Sequence, residues 1–273
     1  MDNRPIGVFD SGLGGLTVVR QLLELLPLED IVYFGDTGRV PYGPRSAETV
    51  HRYAREDCRF LLYRDVKFLI AACGTVSSVA GDVLEGLPVP AMGVVHATAA
   101  AAAKATRNRC VGVIGTPATV RSGSFTRSLK ENNPSIQVTA VACPVLVTLV
   151  ENGWIAPDDE VAAAAVKRYL QPLREAGVDT LILGCTHFPL LAPVIREQLG
   201  EAVTLIDSGR ETAAVCAARL AASDALCDPL RRQGHCHYFV TDRPEGFTQV
   251  AETFLGRPVH SEIEMISTDT LRT

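Results

Sequence analysis

Along most of this chain, short continuous apolar runs alternate with longer amphipathic stretches. The runs at 6–9, 31–34, 68–72, 91–94, 111–114, 138–142, 180–183 and 203–206 have strand length and no polar alternation, the pattern of strands buried on both faces. Stretches 16–26, 47–63, 97–106, 122–131, 158–176, 190–199 and 211–222 lie between or after them and are predicted as helices. Buried strands separated by helices imply mostly parallel sheets covered on both faces, an α/β fold. Two more strand-like pieces, 237–240 and 259–263, are less regular.

A weak internal repeat runs through this pattern. Lys67-Phe-Leu-Ile-Ala-Ala-Cys73-Gly-Thr75 resembles Asp179-Thr-Leu-Ile-Leu-Gly-Cys185-Thr-His187, 112 positions on. Ile6-Gly-Val-Phe-Asp10-Ser-Gly12 resembles Val111-Gly-Val-Ile-Gly115-Thr-Pro117, 105 positions on. Each member is a strand followed by a turn of small polar residues. Chance explains one such pair more easily than two at similar offset. The repeat predicts two pseudo-symmetric α/β lobes, with both cysteine turns in the cleft between them. The boundary is expected near 95–99, giving a first lobe of 1–97 with 211–273 and a second of 98–210.

Composition narrows the picture. A length of 273 residues suits two small lobes, and 47% hydrophobic with 21% charged residues is ordinary for a globular chain. The net charge of -5, with no Lys/Arg block, argues against nucleic acid or an anionic membrane as partner. The longest apolar stretch, around 140–150, is far short of the roughly 18 residues a membrane helix needs. Met1-Asp2-Asn3-Arg4-Pro5 lacks the pattern of a secretory leader, so a soluble cytoplasmic protein is expected. In that setting the eight cysteines, none in a C-x-x-C pair, read mostly as small buried apolar residues. His235-Cys236-His237 cannot all project from one side of a strand, so no metal site is expected.

Parallel sheets bind ligands beyond the carboxyl ends of their strands, where loops converge and helix N-termini present free N–H groups. Five loops qualify. Asp10-Ser-Gly-Leu-Gly-Gly15 lacks the third glycine of a dinucleotide fingerprint, Thr17 standing in its place, and lacks the Gly-Lys-Ser/Thr of a P-loop. Asp10 there is a candidate for an ammonium group or a neighbouring base, or a helix cap. Gly35-Asp-Thr-Gly-Arg39-Val-Pro41-Tyr42-Gly43 offers Tyr42 and the Gly43 backbone to a carboxylate, or is a plain turn. Gly115-Thr116-Pro117 offers hydroxyl and N–H donors or simply starts a helix. Cys73-Gly74-Thr75 and Cys185-Thr186-His187 each put a thiol at a strand end; a helix N-terminus there is expected to lower its pKa, and His187 is placed to exchange a proton with Cys185. Glu151 is either an acidic group at the cleft or an ordinary surface charge.

Taken together, Asp10-Ser-Gly-x-Gly-Gly, Gly35-Asp-Thr-x-Arg-x-Pro-Tyr-Gly43, Ala-Cys73-x-Thr75, Gly-Val-Ile-Gly-Thr116 and Leu-Gly-Cys185-Thr-His187-Phe-Pro-Leu resemble the bacterial glutamate racemase family, in order and spacing, from Ile6 to about Ser208. The resemblance implies interconversion of L- and D-glutamate in the cleft, without pyridoxal phosphate, metal or nucleotide, to supply peptidoglycan synthesis. It implies Cys73 and Cys185 as the acid/base pair, with Asp10, His187 and Glu151 as further catalytic candidates. Asp10, Ser11, Pro41, Tyr42, Gly43, Gly74, Thr75, Thr116, Thr186 and His187 become the substrate contacts. A homodimer is a further expectation of the family. The family usually has Asn after the first cysteine. Gly74 stands there instead, so a hydrogen bond worth roughly 1 kcal/mol net is missing from that side.

Racemisation removes a proton from one face of Cα and returns one to the other, which calls for two groups, one thiolate and one thiol. Three other readings stay open at this point: a racemase of a related amino acid such as aspartate, a non-catalytic amino-acid clamp, and a cysteine hydrolase with Cys185 and His187. The last lacks an orienting partner for the histidine in the sequence.

Overall fold

The computed structural model describes residues 1–231, 233–243, 247–259 and 263–271. The first part of the chain forms β1 (Ile6–Asp10), α1 (Leu16–Leu25), β2 (Ile31–Gly35), α2 (Ala47–Leu62), β3 (Phe68–Ala71), α3 (Gly74–Val79), β4 (Ala91–Gly93) and α4 (Val94–Ala105). Then come β5 (Cys110–Gly115), α5 (Pro117–Ser122), α6 (Ser124–Asn132), β6 (Gln137–Ala142), α7 (Pro144–Glu151), α8 (Glu160–Glu175), β7 (Thr180–Leu183), α9 (Ala192–Leu199), β8 (Thr204–Asp207) and α10 (Ser208–Ala222). β9 (Cys236–Val240), α11 (Phe247–Leu255) and β10 (Ile263–Met265) follow.

These strands build two sheets, ordered β10-β9-β2-β1-β3-β4 and β6-β5-β7-β8, and every pairing is parallel. The run β2-β1-β3-β4 has the same order as β6-β5-β7-β8. The repeat is therefore visible in topology: β3 lies beside β1 as β7 lies beside β5, with Ile6 opposite Phe68 and Val111 opposite Thr180. The last part of the chain extends the first sheet, β9 adding to the outer edge of β2. Of the predicted piece 259–263, residues 260–262 lie outside the described residues.

The core explains the apolar runs. β1, β2, β3 and β7 are buried along their whole length. One cluster joins Ile6 and Val8 to Leu16 and Leu22 of α1, Leu181 and Leu183 of β7 and Cys216 of α10, so apolar packing is continuous between the sheets. Two more clusters fill the outer faces, around Phe9, Phe34 and Leu69 in one sheet and Val111, Val113 and Ile182 in the other. Each such side chain contributes about 1.5–3 kcal/mol by leaving water. β4, β6 and β8 are partly exposed, although buried strands were expected, because they stand at sheet edges.

Caps account for several helix starts. Ser46 accepts from the Thr49 N–H at 3.2 Å, Asp159 from Ala162 at 2.8 Å and Asp207 from Gly209 at 2.8 Å. The helix expected at 122–131 is α6, starting after Gly123 turns left-handed (φ 65°), and the helix start offered at Thr116–Pro117 is α5. The helix start expected after Cys73 is α3, whereas helices α7 and α11 were not anticipated. No helix among the described residues is long and apolar enough to cross a membrane.

Candidate active site

The cysteine turns leave matched strands. Cys73 follows β3 and caps α3, while Cys185 follows β7 and leads through Thr186 and His187 into a short 3-10 turn at Phe188–Leu191. Both thiols are free and buried.

The loops around them touch at several points, and glycine makes most of these approaches feasible. A Cβ on Gly14 would overlap the Thr186 hydroxyl and reach 2.8 Å from His187 Nδ1; one on Gly43 would lie 3.3 Å from Thr116 Cβ. A Cβ on Gly74 would overlap the Gly184 carbonyl oxygen and lie 3.7 Å from Cys185 Cα. Thr75 and Thr116 share a hydrogen bond of 3.0 Å between their hydroxyls. The Thr17 hydroxyl lies 2.9 Å from the Gly14 carbonyl and 3.1 Å from that of Thr186. The position that disqualified a dinucleotide fingerprint thus joins the first glycine loop to the second cysteine turn.

Each sulfur has its own surroundings. The Cys73 thiol donates to Ser11 Oγ at 3.5 Å. Burial, aided by the charges of Asp10 and Cys185, pushes this thiol up to about 12, against its hydrogen bonding with Ser11 and with the Val76 N–H. This corrects the expectation that a helix N-terminus lowers it: α3 has six residues, and desolvation outweighs its end. Asp10 is buried, accepts from the Gly12 N–H at 2.9 Å, and is raised above the usual carboxylate range by burial, opposed by the nearby His187 charge.

On the other side, His187 Nδ1 lies 3.6 Å from Cys185 Sγ and 3.3 Å from the Thr186 hydroxyl. Its Nε2 faces Glu151 Oε1 at 3.2 Å. Burial pulls the imidazole pKa down, but the facing Cys185 sulfur and Glu151 outweigh burial and raise it to about 10. The half-exposed Glu151 at the end of α7 is thus both a surface charge and a partner of the site, and it is the orienting group missing from the sequence reading of a Cys185–His187 pair. A thiol, an imidazole and a carboxylate so arranged can pass a proton, and Cys73 is a second thiol at the equivalent strand end of the other sheet.

Other predicted residues are placed differently. The Tyr42 hydroxyl is buried, within hydrogen-bond reach of Asp36 and, at 3.0 Å, of Asp57, so what the turn presents toward Thr116 is the Gly43 backbone. Pro41 is exposed. Arg39 reaches Asp36 at 2.6 Å, Asp57 at 3.1 Å and Glu56, holding the turn from beneath. Sequence reasoning missed this network, and it missed Phe254 of α11, whose ring packs on His187. No motif marks Phe254; the Asp36–Arg39 spacing was the one available signal for the network. Cys236 is buried in β9 and His237 exposed, as alternation along a strand requires. A cavity of about 700 Å³ between α3, α4, α6 and α10 includes none of the predicted site residues.

The Asp/Glu/Hydantoin racemase family model matches residues 6–216. The glutamate racemase of Geobacter metallireducens is 50% identical over 254 residues, 93% of each chain. The crystal structure of a glutamate racemase isoform from Bacillus anthracis superposes with a TM-score of 0.92 at 39% identity, covering 98% of this chain and 99% of that one. That of Francisella tularensis glutamate racemase, in complex with D-glutamate, gives 0.91 at 36% identity, covering 99% and 100%. The chain belongs to the Asp/Glu/Hydantoin racemase family, in its glutamate racemase branch.

Proposed function

We propose that this protein interconverts L- and D-glutamate by proton transfer at Cα between two cysteines, Cys73 and Cys185, and so supplies D-glutamate for peptidoglycan. The observation that carries the reading is the pair of thiols at equivalent strand ends of two sheets of like order, their turns in direct contact. The two lobes are residues 1–97 with 211–273 and 98–210, with glutamate between them. Both proton-transfer groups belong to the chain, so the reaction needs no pyridoxal phosphate, metal or nucleotide. The family reading extends to a cytoplasmic homodimer.

In one direction the Cys185 thiolate takes the α-proton of L-glutamate while the Cys73 thiol delivers its own proton to the opposite face. D-glutamate leaves, Cys185 is now the thiol and Cys73 the thiolate, and no net proton is consumed. The reverse direction runs the same steps backward. The two sides of the site differ: burial makes Cys73 hold its proton strongly, while His187 Nδ1 stands 3.6 Å from the Cys185 sulfur, within reach for a proton exchange. His187, oriented by Glu151, and Asp10 return the two sulfurs to their starting protonation. The hydroxyls of Ser11, Thr75, Thr116 and Thr186 and the first N–H groups of α3 are fixed donors for the substrate carboxylates and for the carbanion-like charge at Cα.

The direct test is purified protein with L- or D-glutamate and no added cofactor, followed by optical rotation. Both enantiomers are expected to reach a racemic mixture, and aspartate to remain unchanged. Glutamate binding without loss of rotation would instead make the protein a clamp.

A further inference from the structure

The family match ends at residue 216, yet a residue far beyond it touches the candidate site. Phe254, on α11, packs its ring against that of His187, centroids 5.2 Å apart and planes at 85°. Phe254 is buried, and α11 is seated on α1, within the apolar cluster that joins the two sheets. Beyond the helix, Gly256 takes a left-handed turn (φ 66°) and the Val259 N–H donates to Glu252 Oε1 at 3.2 Å, folding the chain back on α11.

The other partners of the imidazole hold it less firmly. The Glu151 side chain is 46% exposed, so water competes for its bond to Nε2. The Thr186 hydroxyl, at 3.3 Å, can rotate. The contact that matters for proton transfer, Nδ1 to the Cys185 sulfur, is 3.6 Å, with little reach to spare. The Phe254 ring, buried and nearly perpendicular to the imidazole, is a contact that water does not compete for and that restricts the imidazole's motion. We propose that Phe254 is a positioning residue for the Cys185–His187 pair, so that the C-terminal helix, beyond the residues the family model matches, completes the site. The proposal rests on the reading of His187 as the proton partner of Cys185.

The test compares Phe254→Leu, Phe254→Tyr, Leu255→Ala and His187→Asn in the full chain, assayed well below their unfolding temperatures. Leu255 is equally buried on the same helix and serves as a control for destabilisation. Phe254→Leu is expected to lower kcat about tenfold with KM within about twofold, a misplacement effect rather than a binding one, and Phe254→Tyr to stay within about threefold of the parent. In Phe254→Leu the isotope effect with α-deuterated L-glutamate should rise above that with the D form, because the Cys185 step alone is slowed. Leu255→Ala should lower thermal stability and leave kcat and both isotope effects unchanged. If Phe254→Leu behaves like Leu255→Ala while His187→Asn is impaired, the positioning role is overturned and the reading of His187 survives. If His187→Asn keeps full activity, that reading fails and the inference with it.

Discussion

Gly74 stands where the family resemblance implies Asn, and its surroundings give a reason. A side chain there has no room, since the Gly184 carbonyl occupies the place of a Cβ. The absence of a side chain at Gly74 lets the two cysteine turns come into direct contact. Gly74→Ala is expected to cost about 1–3 kcal/mol, as overpacking does, and to lower kcat by pushing the turns apart; Gly74→Asn should do the same rather than improve the enzyme. Denaturant midpoints and racemisation rates check both. At this scale the sequence was informative wherever a loop motif carries chemistry: Cys73, Cys185, Asp10, Ser11, Thr75, Thr116, Thr186 and His187 were all singled out from it, and the structure brings their loops together. It was silent on direction. A Pro-Tyr-Gly turn looks the same whether the phenol faces a ligand or, as here, Asp36 and Asp57.

The turn between β2 and α2 is held by the Arg39 network, and that element has its own energetics. One guanidinium serves three carboxylates, and burial together with Asp36 pushes Asp57 well above the usual carboxylate range. The C-terminal part of the chain fastens the same turn: the Thr241 hydroxyl donates to Asp36 at 2.8 Å, and the Asp242 N–H to Thr37 at 2.8 Å. Arg39→Met removes the cation and leaves buried acids uncompensated; a loss of about 3–5 kcal/mol in chemical denaturation is expected, as for a broken buried pair. Strands buried on both faces were legible because nothing but continuous apolar sequence survives there. Helix α7, Pro-Val-Leu-Val-Thr-Leu-Val-Glu, was not, because it is apolar around nearly its whole circumference and shows no period, and the six-residue α3 is too short to show one.

Across the whole molecule, the pair of cysteine strands was the legible sign of two related sheets, while the support from α11 was not legible because packing between remote segments leaves no local pattern. The buried thiols also set how the molecule responds to pH. Burial, the largest cause in each case, pushes Cys58, Cys73, Cys143, Cys216 and Cys236 from 9.0 to about 12. Folding therefore favours their protonated form, a contribution complete below about pH 9 and lost as pH rises toward 12, each group costing about 1.4 kcal/mol per pH unit on the way. His187, raised from 6.5 to about 10, begins to lose its share already above pH 6.5. Calorimetry should find Tm falling gently from pH 6.5 to 9 and steeply beyond; a Tm flat to pH 10 would contradict buried neutral thiols. The two-base mechanism itself is tested most directly in deuterated water, with Cys73→Ser and Cys185→Ser beside the parent, by following deuterium at Cα of L- and D-glutamate and the optical rotation together. The parent is predicted to racemise both enantiomers with deuterium entering the product, and each single variant to lose racemisation in both directions. Undiminished racemisation by either variant would contradict the assignment of the two sulfurs to opposite faces of the substrate.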